Sequence, residues 1–139
     1  MTAAPTPSHF DTAARDWDQR PMSQQLAAVP PRLLAHLPLA PTDHVLDFGA
    51  GTGLLATQMA PRVAQVTALD MSGAMLQVLA DKGFANITPL QGDIFAGLPG
   101  RYHAIVSCMA LHHVADTAAL MQAFADALHP GGRVAVVDL

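Results

Sequence analysis

Three glycines that alternate along the chain directly after an apolar strand constrain the fold of this sequence more than any other feature. The predicted strand His44–Phe48 leads into Gly49, Gly51 and Gly53, and a helical pattern starts at Leu54. Glycine at the first position can turn sharply out of the strand, at the second it leaves space for a ligand near the backbone, and at the third it allows close packing at the helix start. The sequence therefore predicts a strand–turn–helix unit with a ligand-binding turn.

Short apolar segments alternate with helix-sized segments along the rest of the chain, which predicts an α/β fold with a doubly wound parallel sheet. The predicted strands are His44–Phe48, Val66–Leu69, Asn86–Leu90, Tyr102–Cys108 and Arg133–Leu139. The predicted helices are Leu54–Ala60, a helix from the N-cap Ser72 through Lys82 to Gly83, and a helix from the cap Asp116 to Leu128, before the stop signal Pro130-Gly131-Gly132.

The segment before the sheet has a different pattern. The first residues are rich in Pro, Ala and Thr, which predicts a flexible tail. Apolar residues at helical spacing begin at Phe10, and Pro21 and Pro30-Pro31 interrupt the pattern, so short helices are expected there. The expected division is a tail at residues 1–9 and a single domain at residues 10–139, made of a helical cap at 10–40 and a sheet core at 41–139.

Composition excludes several classes of protein. With 139 residues, 51% of them hydrophobic and 13% charged, the chain suits one globular domain and is not disordered. A net charge of −4 and the absence of a Lys/Arg cluster argue against nucleic acid or an anionic membrane as partner. No apolar run is long enough to span a bilayer, and the N-terminus lacks the pattern of a secretory signal. Because the single cysteine, Cys108, cannot form an internal disulfide, a cytoplasmic location is expected.

An acidic residue is predicted to lie beside the glycine turn. Asp70 ends the second predicted strand, 21 positions after Gly49. In an open α/β sheet this position brings a carboxylate next to the turn, where it can accept both hydroxyls of a ribose. A dinucleotide fingerprint would read G-x-G-x-x-G, whereas the third glycine here is Gly53, which gives G-x-G-x-G. A nucleoside cofactor without a pyrophosphate therefore fits better than a dinucleotide.

This spacing resembles motif I of the class I S-adenosylmethionine-dependent methyltransferases, and further motifs follow in the family's order. They are the second-strand acidic motif Asp70-Met71-Ser72, the third-strand motif Gly92-Asp93-Ile94, the fourth strand and loop Ala104–Val114, the turn Leu128–Gly132, and an N-terminal helix around Phe10-Asp11 and Trp17-Asp18. The fourth-strand pattern is close to that of the small-molecule enzymes of ubiquinone and menaquinone biosynthesis. The resemblance implies a Rossmann-like sheet of order 3-2-1-4-5, with the N-terminal helix covering the cofactor.

The resemblance also implies roles for individual residues. The implied cofactor is S-adenosyl-L-methionine, with S-adenosyl-L-homocysteine as product, and no metal is implied. Asp47 would hold the methionine tail, together with backbone groups around Gly49 and Gly51 and polar contacts from Thr52. Gly53 would pack at the helix start. Asp70 would bind the ribose, Met71 and Ile94 would flank adenine, Asp93 would read its amino group, and Cys108 would lie near the methionine portion through its backbone.

Structural readings compete with these roles. The three aspartates could cap helices or face solvent, and Met71 could belong to the core. A small buried hydrophobe is the favoured reading of Cys108. Of the pair His112-His113, His113 is the candidate to contact substrate as a general base, against a favoured structural role in the loop. The remaining histidines show no zinc-ligand spacing.

Three functions remain open from the sequence. The first is methyl transfer to a small-molecule acceptor, because Ser107–Ala110 lacks the (Asn/Asp)-Pro-Pro-(Tyr/Phe) motif of nucleic-acid amino-methylating enzymes. The second is a module that binds the cofactor without turnover. The third is a nicotinamide-dependent oxidoreductase, which the position of Gly53 and the lack of a recognisable catalytic Tyr/Lys pair disfavour.

The sequence ends at Asp138-Leu139, within or at the end of the fifth predicted strand. A complete domain of the family continues into a helix and an antiparallel pair of strands, so the resemblance implies that strands six and seven are lacking. Cofactor binding is therefore better supported than turnover. The apolar edge Val134–Val137 would then be free to pair with a second chain, which predicts a homo-oligomer.

Overall fold

The computed structural model describes residues 9–138, which fold around one parallel five-stranded sheet of order β3-β2-β1-β4-β5. The strands are β1 His44–Phe48, β2 Gln65–Asp70, β3 Ile87–Gln91, β4 Tyr102–Cys108 and β5 Leu128–Val137. The helices are α1 His9–Ala13, α2 Pro21–Leu26, α3 Val29–His36, α4 Ala56–Met59, α5 Gly73–Asp81 and α6 Thr117–Ala127. The predicted fold class and strand order are confirmed.

Helices cover both faces of the sheet, as a doubly wound fold requires. Successive residues of β1 point to opposite faces, so Val45 joins one core cluster and Leu46 the other. The first cluster contains residues of α3, α4 and α5, and the second contains Leu120 and Phe124 of α6. Every strand pairing is parallel. The carboxyl ends of the strands therefore share one edge, and their loops are neighbours.

Two helix caps stand where the sequence predicts them. The Ser72 hydroxyl accepts the backbone N–H of Met75 and begins α5, and the Asp116 carboxylate accepts that of Ala119 and begins α6. The helix after the glycine turn is shorter than predicted. It covers Ala56–Met59 and then tightens into a 3-10 turn that contains Pro61, whose ring is incompatible with a continuing α-helix.

Prolines organise the N-terminal cap, residues 9–36, by starting helices. Pro21 lies in the first turn of α2 and Pro30 in the first turn of α3, where the missing N–H costs nothing. Of the predicted tail at residues 1–9, His9 begins α1, and the other residues lie outside the described part of the chain. A 3-10 turn at Ala14–Gln19 links α1 to α2.

The fifth strand begins earlier than predicted. It starts at Leu128 opposite Tyr102, and the regular register resumes at Arg133 opposite Ala104. The predicted stop signal Pro130-Gly131-Gly132 therefore lies in an irregular part of the strand. Gly131 takes a φ of +78°, which turns the backbone locally before pairing continues. No helix in the described part of the chain is long and apolar enough to cross a bilayer.

Candidate cofactor site

The candidate site lies at the carboxyl edge of the sheet, where the chain leaves β1 between its two neighbours, β2 and β4. Connections from β1 and β4 leave in opposite directions along a sheet of this order, and ligands bind in the crevice that results. The loops after β1, β2, β3 and β4 border this crevice.

The glycine turn takes the conformation that its sequence predicts. Gly49, Gly51 and Gly53 all have positive φ, at +71°, +57° and +86°. The backbone N–H groups of Gly49 and Ala50 both donate to the Leu69 carbonyl at 2.9 Å, which ties the turn to the end of β2. The turn is therefore fixed by the neighbouring strand.

Each glycine meets a different environment. A Cβ on Gly49 would come within 2.4 Å of the Ala110 Cβ, and one on Gly53 within 2.2 Å of the Leu79 Cδ1. Close packing therefore excludes larger residues at 49 and strongly disfavours them at 53. A Cβ on Gly51 would meet no atom of the described residues within 4 Å. Gly51 thus borders open space, as a position that a ligand approaches should.

Asp70 holds the open side of the turn. Its Oδ2 accepts the backbone N–H of Gly51 at 2.8 Å, and its Oδ1 accepts that of Ser72 at 2.8 Å. A carboxylate has lone pairs for about four hydrogen bonds, so Asp70 retains the capacity to accept hydroxyl donors as well. The Asp70 carboxylate therefore lies next to the glycine turn, as the sequence predicts, and its contact with a ribose stays a prediction.

Asp47 is a buried carboxyl group with an unsatisfied oxygen. The residue is 2% exposed, and its Oδ2 has no hydrogen-bond partner within residues 9–138. Burial raises the pKa of Asp47 to about 8; the charge of Asp70 acts in the same direction, and a hydrogen bond from the Ala56 backbone N–H opposes it. A buried, unpaired acceptor is costly unless a ligand completes it, so Asp47 fits a site for a cationic group.

Thr52 is buried, and its hydroxyl is engaged within the protein. At 1% exposure it donates through Oγ1 to the carboxylate of Asp18 on the N-terminal cap. Asp18 also pairs with Lys82, whose Nζ lies 2.8 Å from Asp18 Oδ2 and donates to the Thr52 carbonyl at 2.7 Å. The contact of Thr52 with a methionine tail stays a prediction. Sequence reasoning missed Asp18 and Lys82, since no local spacing signals a contact between residues so far apart.

The adenine-side residues differ in exposure. Met71, the residue after β2, is 71% exposed. This exposure argues against the alternative that its side chain belongs to the core. Asp93 is exposed and accepts the backbone N–H of Phe95 at 2.9 Å, so it caps the 3-10 turn Ile94–Ala96. Ile94 is 5% exposed and packs in the second core cluster, which favours a packing role. Contacts of these residues with adenine stay predictions.

The loop after β4 carries the remaining predicted residues. Cys108 is half-buried at the strand end, and burial raises the pKa of its thiol, with Asp47 and Asp138 adding to the shift. Met109 has a φ of +61°, uncommon for a residue other than glycine, and turns the chain sharply after the strand. His113 is exposed in the 3-10 turn Leu111–His113. The structure therefore brings Cys108 and His113 to the same edge as Asp47.

The N-terminal cap contacts three of the loops that border the crevice. Besides the contact of Asp18 with Thr52 after β1, Asp11 accepts the hydroxyl of Ser72 after β2. The Phe10 ring lies edge-on to the His113 ring after β4, with 5.3 Å between centroids. This agrees with the implied position of the N-terminal helix over the cofactor.

Three histidines that are distant in sequence meet at the opposite, amino edge of the sheet. His103 Nδ1 accepts the backbone N–H of His44 at 2.9 Å, and the rings of His103 and His129 lie 4.4 Å apart. Among the described residues, no group of three or more His, Cys, Asp or Glu side chains has the arrangement to hold a metal ion. These histidines are remote from the glycine turn.

Comparison with known proteins decides the family. The profile of a family described as "Methyltransferase domain" matches residues 45–132, which is more than half of the chain. The chain belongs to this methyltransferase family. The match begins in β1 and ends in β5, so it includes the glycine turn and the strand ends of the candidate site. This membership argues against the nicotinamide-dependent oxidoreductase, the third function left open by the sequence.

Relatives of this methyltransferase domain include an uncharacterised methyltransferase of Mycobacterium tuberculosis, 43% identical over 107 residues that cover 74% of this chain and 53% of the relative. The ubiquinone biosynthesis O-methyltransferase of Xylella fastidiosa is 34% identical over 131 residues, which cover 86% of this chain and 52% of that enzyme. The chain thus spans about half the length of these relatives.

Solved structures with the same fold contain the cofactor that the sequence motifs imply. The DhpI–SAH complex superposes with a TM-score of 0.81 at 28% identity, covering 94% of this chain and 66% of that one. The DhpI–SAM–HEP complex superposes with a TM-score of 0.80 at 27% identity, covering 96% and 68%. Both neighbours therefore share the fold of this methyltransferase domain and hold an S-adenosyl ligand.

Proposed function

We propose that this domain binds S-adenosylmethionine at the carboxyl edge of its sheet and transfers the sulfonium methyl to a small-molecule acceptor. The observation that carries the proposal is the buried carboxyl of Asp47, whose Oδ2 lacks a partner within residues 9–138. Asp47 lies two residues before Gly49, where the glycine turn leaves β1. A ligand with an ammonium group would satisfy this oxygen and offset the cost of its burial.

The residues of the site match the parts of this cofactor. Asp47 would hold the ammonium of the methionine portion, and the open space beside Gly51 would admit the ligand close to the backbone. Asp70 would accept the ribose hydroxyls through its remaining lone pairs. The exposed side chain of Met71 would pack on adenine, and Asp93 would accept from the adenine amino group. Ile94, Thr52 and Cys108 would complete the surroundings of adenine and of the methionine portion.

When bound, the cofactor supplies an electrophilic methyl group on a sulfonium, ready for in-line displacement by an acceptor. The protein's task is then to align the acceptor and to exclude water. The N-terminal cap covers the crevice through contacts to the loops after β1, β2 and β4, which supports a role in excluding water. His113, next to Phe10 on the loop after β4, would contact the acceptor and take its proton at an imidazole nitrogen.

A small acceptor molecule is supported by charge and by the fourth-strand motif. The chain carries a net charge of −4, which disfavours a polyanionic acceptor such as nucleic acid, and anionic membrane surfaces on the same ground. A relative is named for ubiquinone biosynthesis, a pathway of small molecules. A cytoplasmic location is part of the proposal, since one cysteine suits a reducing compartment.

The outer edge of β5 supports a proposal of self-association. Within residues 9–138, β5 pairs with β4 alone, and Val134 and Val136 are 40% and 36% exposed. Unpaired apolar edges are templates for pairing with another strand. We therefore include a homo-oligomer through this edge in the proposed function.

A second candidate function is cofactor binding without turnover. The two candidates share the cofactor site and differ in acceptor chemistry. Cofactor binding with no methyl transfer to any compound of an acceptor panel would favour the second.

The decisive experiment is isothermal titration of the chain with S-adenosylmethionine and S-adenosylhomocysteine. We expect micromolar binding, about −8 kcal/mol, that Asp70→Ala abolishes. Asp126→Ala is the matched control, because Asp126 is an exposed aspartate on α6 that accepts the Gln122 side-chain amide at 2.9 Å, away from the glycine turn. No binding by the folded wild-type chain would contradict the proposal.

A further inference from the structure

Asp18, Thr52 and Lys82 form a closed ring of polar contacts, which we call the latch. The Thr52 hydroxyl donates to Asp18 Oδ1, Lys82 Nζ lies 2.8 Å from Asp18 Oδ2, and the same Nζ donates to the Thr52 carbonyl at 2.7 Å. Each residue comes from a different part of the fold: the 3-10 turn of the N-terminal cap, the glycine turn, and the end of α5. The latch therefore fastens three elements to one another.

The latch is better shielded from water than an ordinary surface ion pair. The side chains of Asp18 and Lys82 are 25% and 27% exposed, and Thr52 is 1% exposed. In the same 3-10 turn, Asp16 pairs with Arg20 at 3.5 Å with side chains 68% and 37% exposed. Short charge-assisted hydrogen bonds between partly buried groups are stronger than exposed ion pairs. The latch therefore contributes to holding the cap on the glycine turn, whereas the Asp16–Arg20 pair contributes little.

The position of Thr52 links the latch to the cofactor site. Thr52 stands between Gly51, which borders open space, and Gly53, which packs against Leu79. Its side chain and its carbonyl are both held by the latch. Opening the cap at this point therefore frees the hydroxyl of Thr52, the residue that follows Gly51, whose N–H donates to Asp70.

We propose that Asp18 is a positioning residue that fastens residues 9–20 over the glycine turn and sets the rate at which the cofactor leaves. The inference rests on the cofactor site of the proposed function. A ligand held under a closed segment leaves only when that segment opens, and a latch absent from the open form raises the cost of opening. Loss of the latch accelerates dissociation more than association.

The test is the dissociation rate of S-adenosylhomocysteine, measured by stopped flow after mixing with excess competing S-adenosylmethionine. We expect Asp18→Asn to release the ligand about tenfold faster, with association changed less than about threefold. Asp16→Asn is the matched control, since it makes the same chemical change in the same turn at the exposed pair with Arg20. Its release rate should equal that of the wild type.

A second variant and a second measurement separate fastening from general stability. Lys82→Gln should accelerate release as Asp18→Asn does, and the double variant should add little, because all three break one latch. Trypsin cleavage at Arg15 and Arg20 should be suppressed by S-adenosylhomocysteine in the wild type and much less in Asp18→Asn. A purely structural role would lower thermal stability and leave both the release rate and this protection unchanged.

Equal release rates for folded Asp18→Asn and the wild type would overturn the assignment of Asp18 while leaving the proposed function intact. Absence of S-adenosylhomocysteine binding by the wild type would overturn the proposed function first, and the role of Asp18 in release with it. If Asp16→Asn released the ligand as fast as Asp18→Asn does, the proposed role of the latch would also be contradicted. The faster release would then follow from the loss of any negative charge in this turn.

Discussion

The carboxylate of Asp70 accepts the backbone N–H of Gly51 at 2.8 Å, and this bond joins the end of β2 to the glycine turn after β1. The same side chain accepts the Ser72 N–H at 2.8 Å, ahead of α5. Asp70 therefore organises two loops of the site before any ligand binds. Its proposed role in holding ribose adds to a structural role that is already present.

Asp70→Ala should consequently lower stability as well as cofactor affinity. Losing the acceptor for two backbone N–H groups costs about 2 kcal/mol of the free energy of unfolding, measured by urea denaturation. Asp93→Ala, which removes the cap of one short 3-10 turn, should cost only about 1 kcal/mol. Equal stability losses in the two variants would contradict the assigned role of Asp70.

Replacing Gly51 with alanine should abolish cofactor binding for a steric reason. Its Cβ would project into open space beside the turn, where the cofactor is proposed to lie, and its φ of +57° adds strain of about 1 kcal/mol. Gly131→Ala is the matched control, because Gly131 has a φ of +78°, also has open space around it, and lies in the irregular part of β5. Titration calorimetry should find binding lost in the first variant and retained in the second, with similar losses of Tm.

Asp47 should make the stability of the ligand-free protein depend on pH. Because burial raises its pKa from 3.8 to about 8, the folded state keeps a proton on Asp47 that the unfolded state releases. The free energy of unfolding should therefore fall as pH rises through this interval and level off above about pH 8. Asp47→Asn should lose this pH dependence and be more stable than the wild type at the upper end, with the difference vanishing near pH 4.

The same Asp47→Asn variant should bind S-adenosylhomocysteine at least about tenfold more weakly, because a neutral amide cannot pair with an ammonium by charge. Asp43→Asn is the control: Asp43 lies just before β1 and accepts the exposed Ala40 N–H at 2.9 Å. It should leave both the affinity and the pH dependence unchanged. A pH dependence that persists in Asp47→Asn would assign the effect to another group.

His113→Ala should lower kcat/KM for the acceptor by about a hundredfold while leaving the affinity for S-adenosylhomocysteine within about twofold. The reason is that His113 is proposed to act on the acceptor and not on the cofactor. His36→Ala, at the exposed end of α3, is the control. An unchanged kcat/KM in His113→Ala would contradict a role of this residue toward the acceptor and favour a structural one, such as its packing against Phe10.

Self-association through β5 should be concentration-dependent and sensitive to charge at the edge. Val134→Lys should shift the chain toward monomer in sedimentation velocity, because a lysine on an edge strand disfavours pairing with a second chain. Met22→Lys makes a comparable change at a 64% exposed residue of α2 and should not shift it. A wild-type chain that stays monomeric at all concentrations would argue against the edge as an interface.

Features with a local signature could be predicted from the sequence. β1 and β4 have the predicted bounds, since a short apolar run between turn residues is a sufficient signal for a buried parallel strand. Ser72 and Asp116 could be identified as caps because their partners lie three residues ahead. The start of β5 could not be placed, because a strand that continues through Pro-Gly-Gly depends on pairing with β4.

The polar contacts of the cap had no such signature. Asp18 with Thr52 and Asp11 with Ser72 join residues separated by 34 and 61 positions. Such pairs follow from the docking of whole elements, and neither spacing nor residue type marks them in advance. The same reason hid the meeting of His44, His103 and His129 at the amino edge.

These long-range contacts have a consequence for the order of folding. The cap contacts the loops that follow β1, β2 and β4. These loops come together only after the three strands have paired, so the cap cannot bind to them earlier. The cap precedes these strands in the sequence, yet it reaches its native position after they have paired. The cap therefore closes over the glycine turn late in folding. Only a chain whose sheet is already assembled can then retain a ligand beneath the cap.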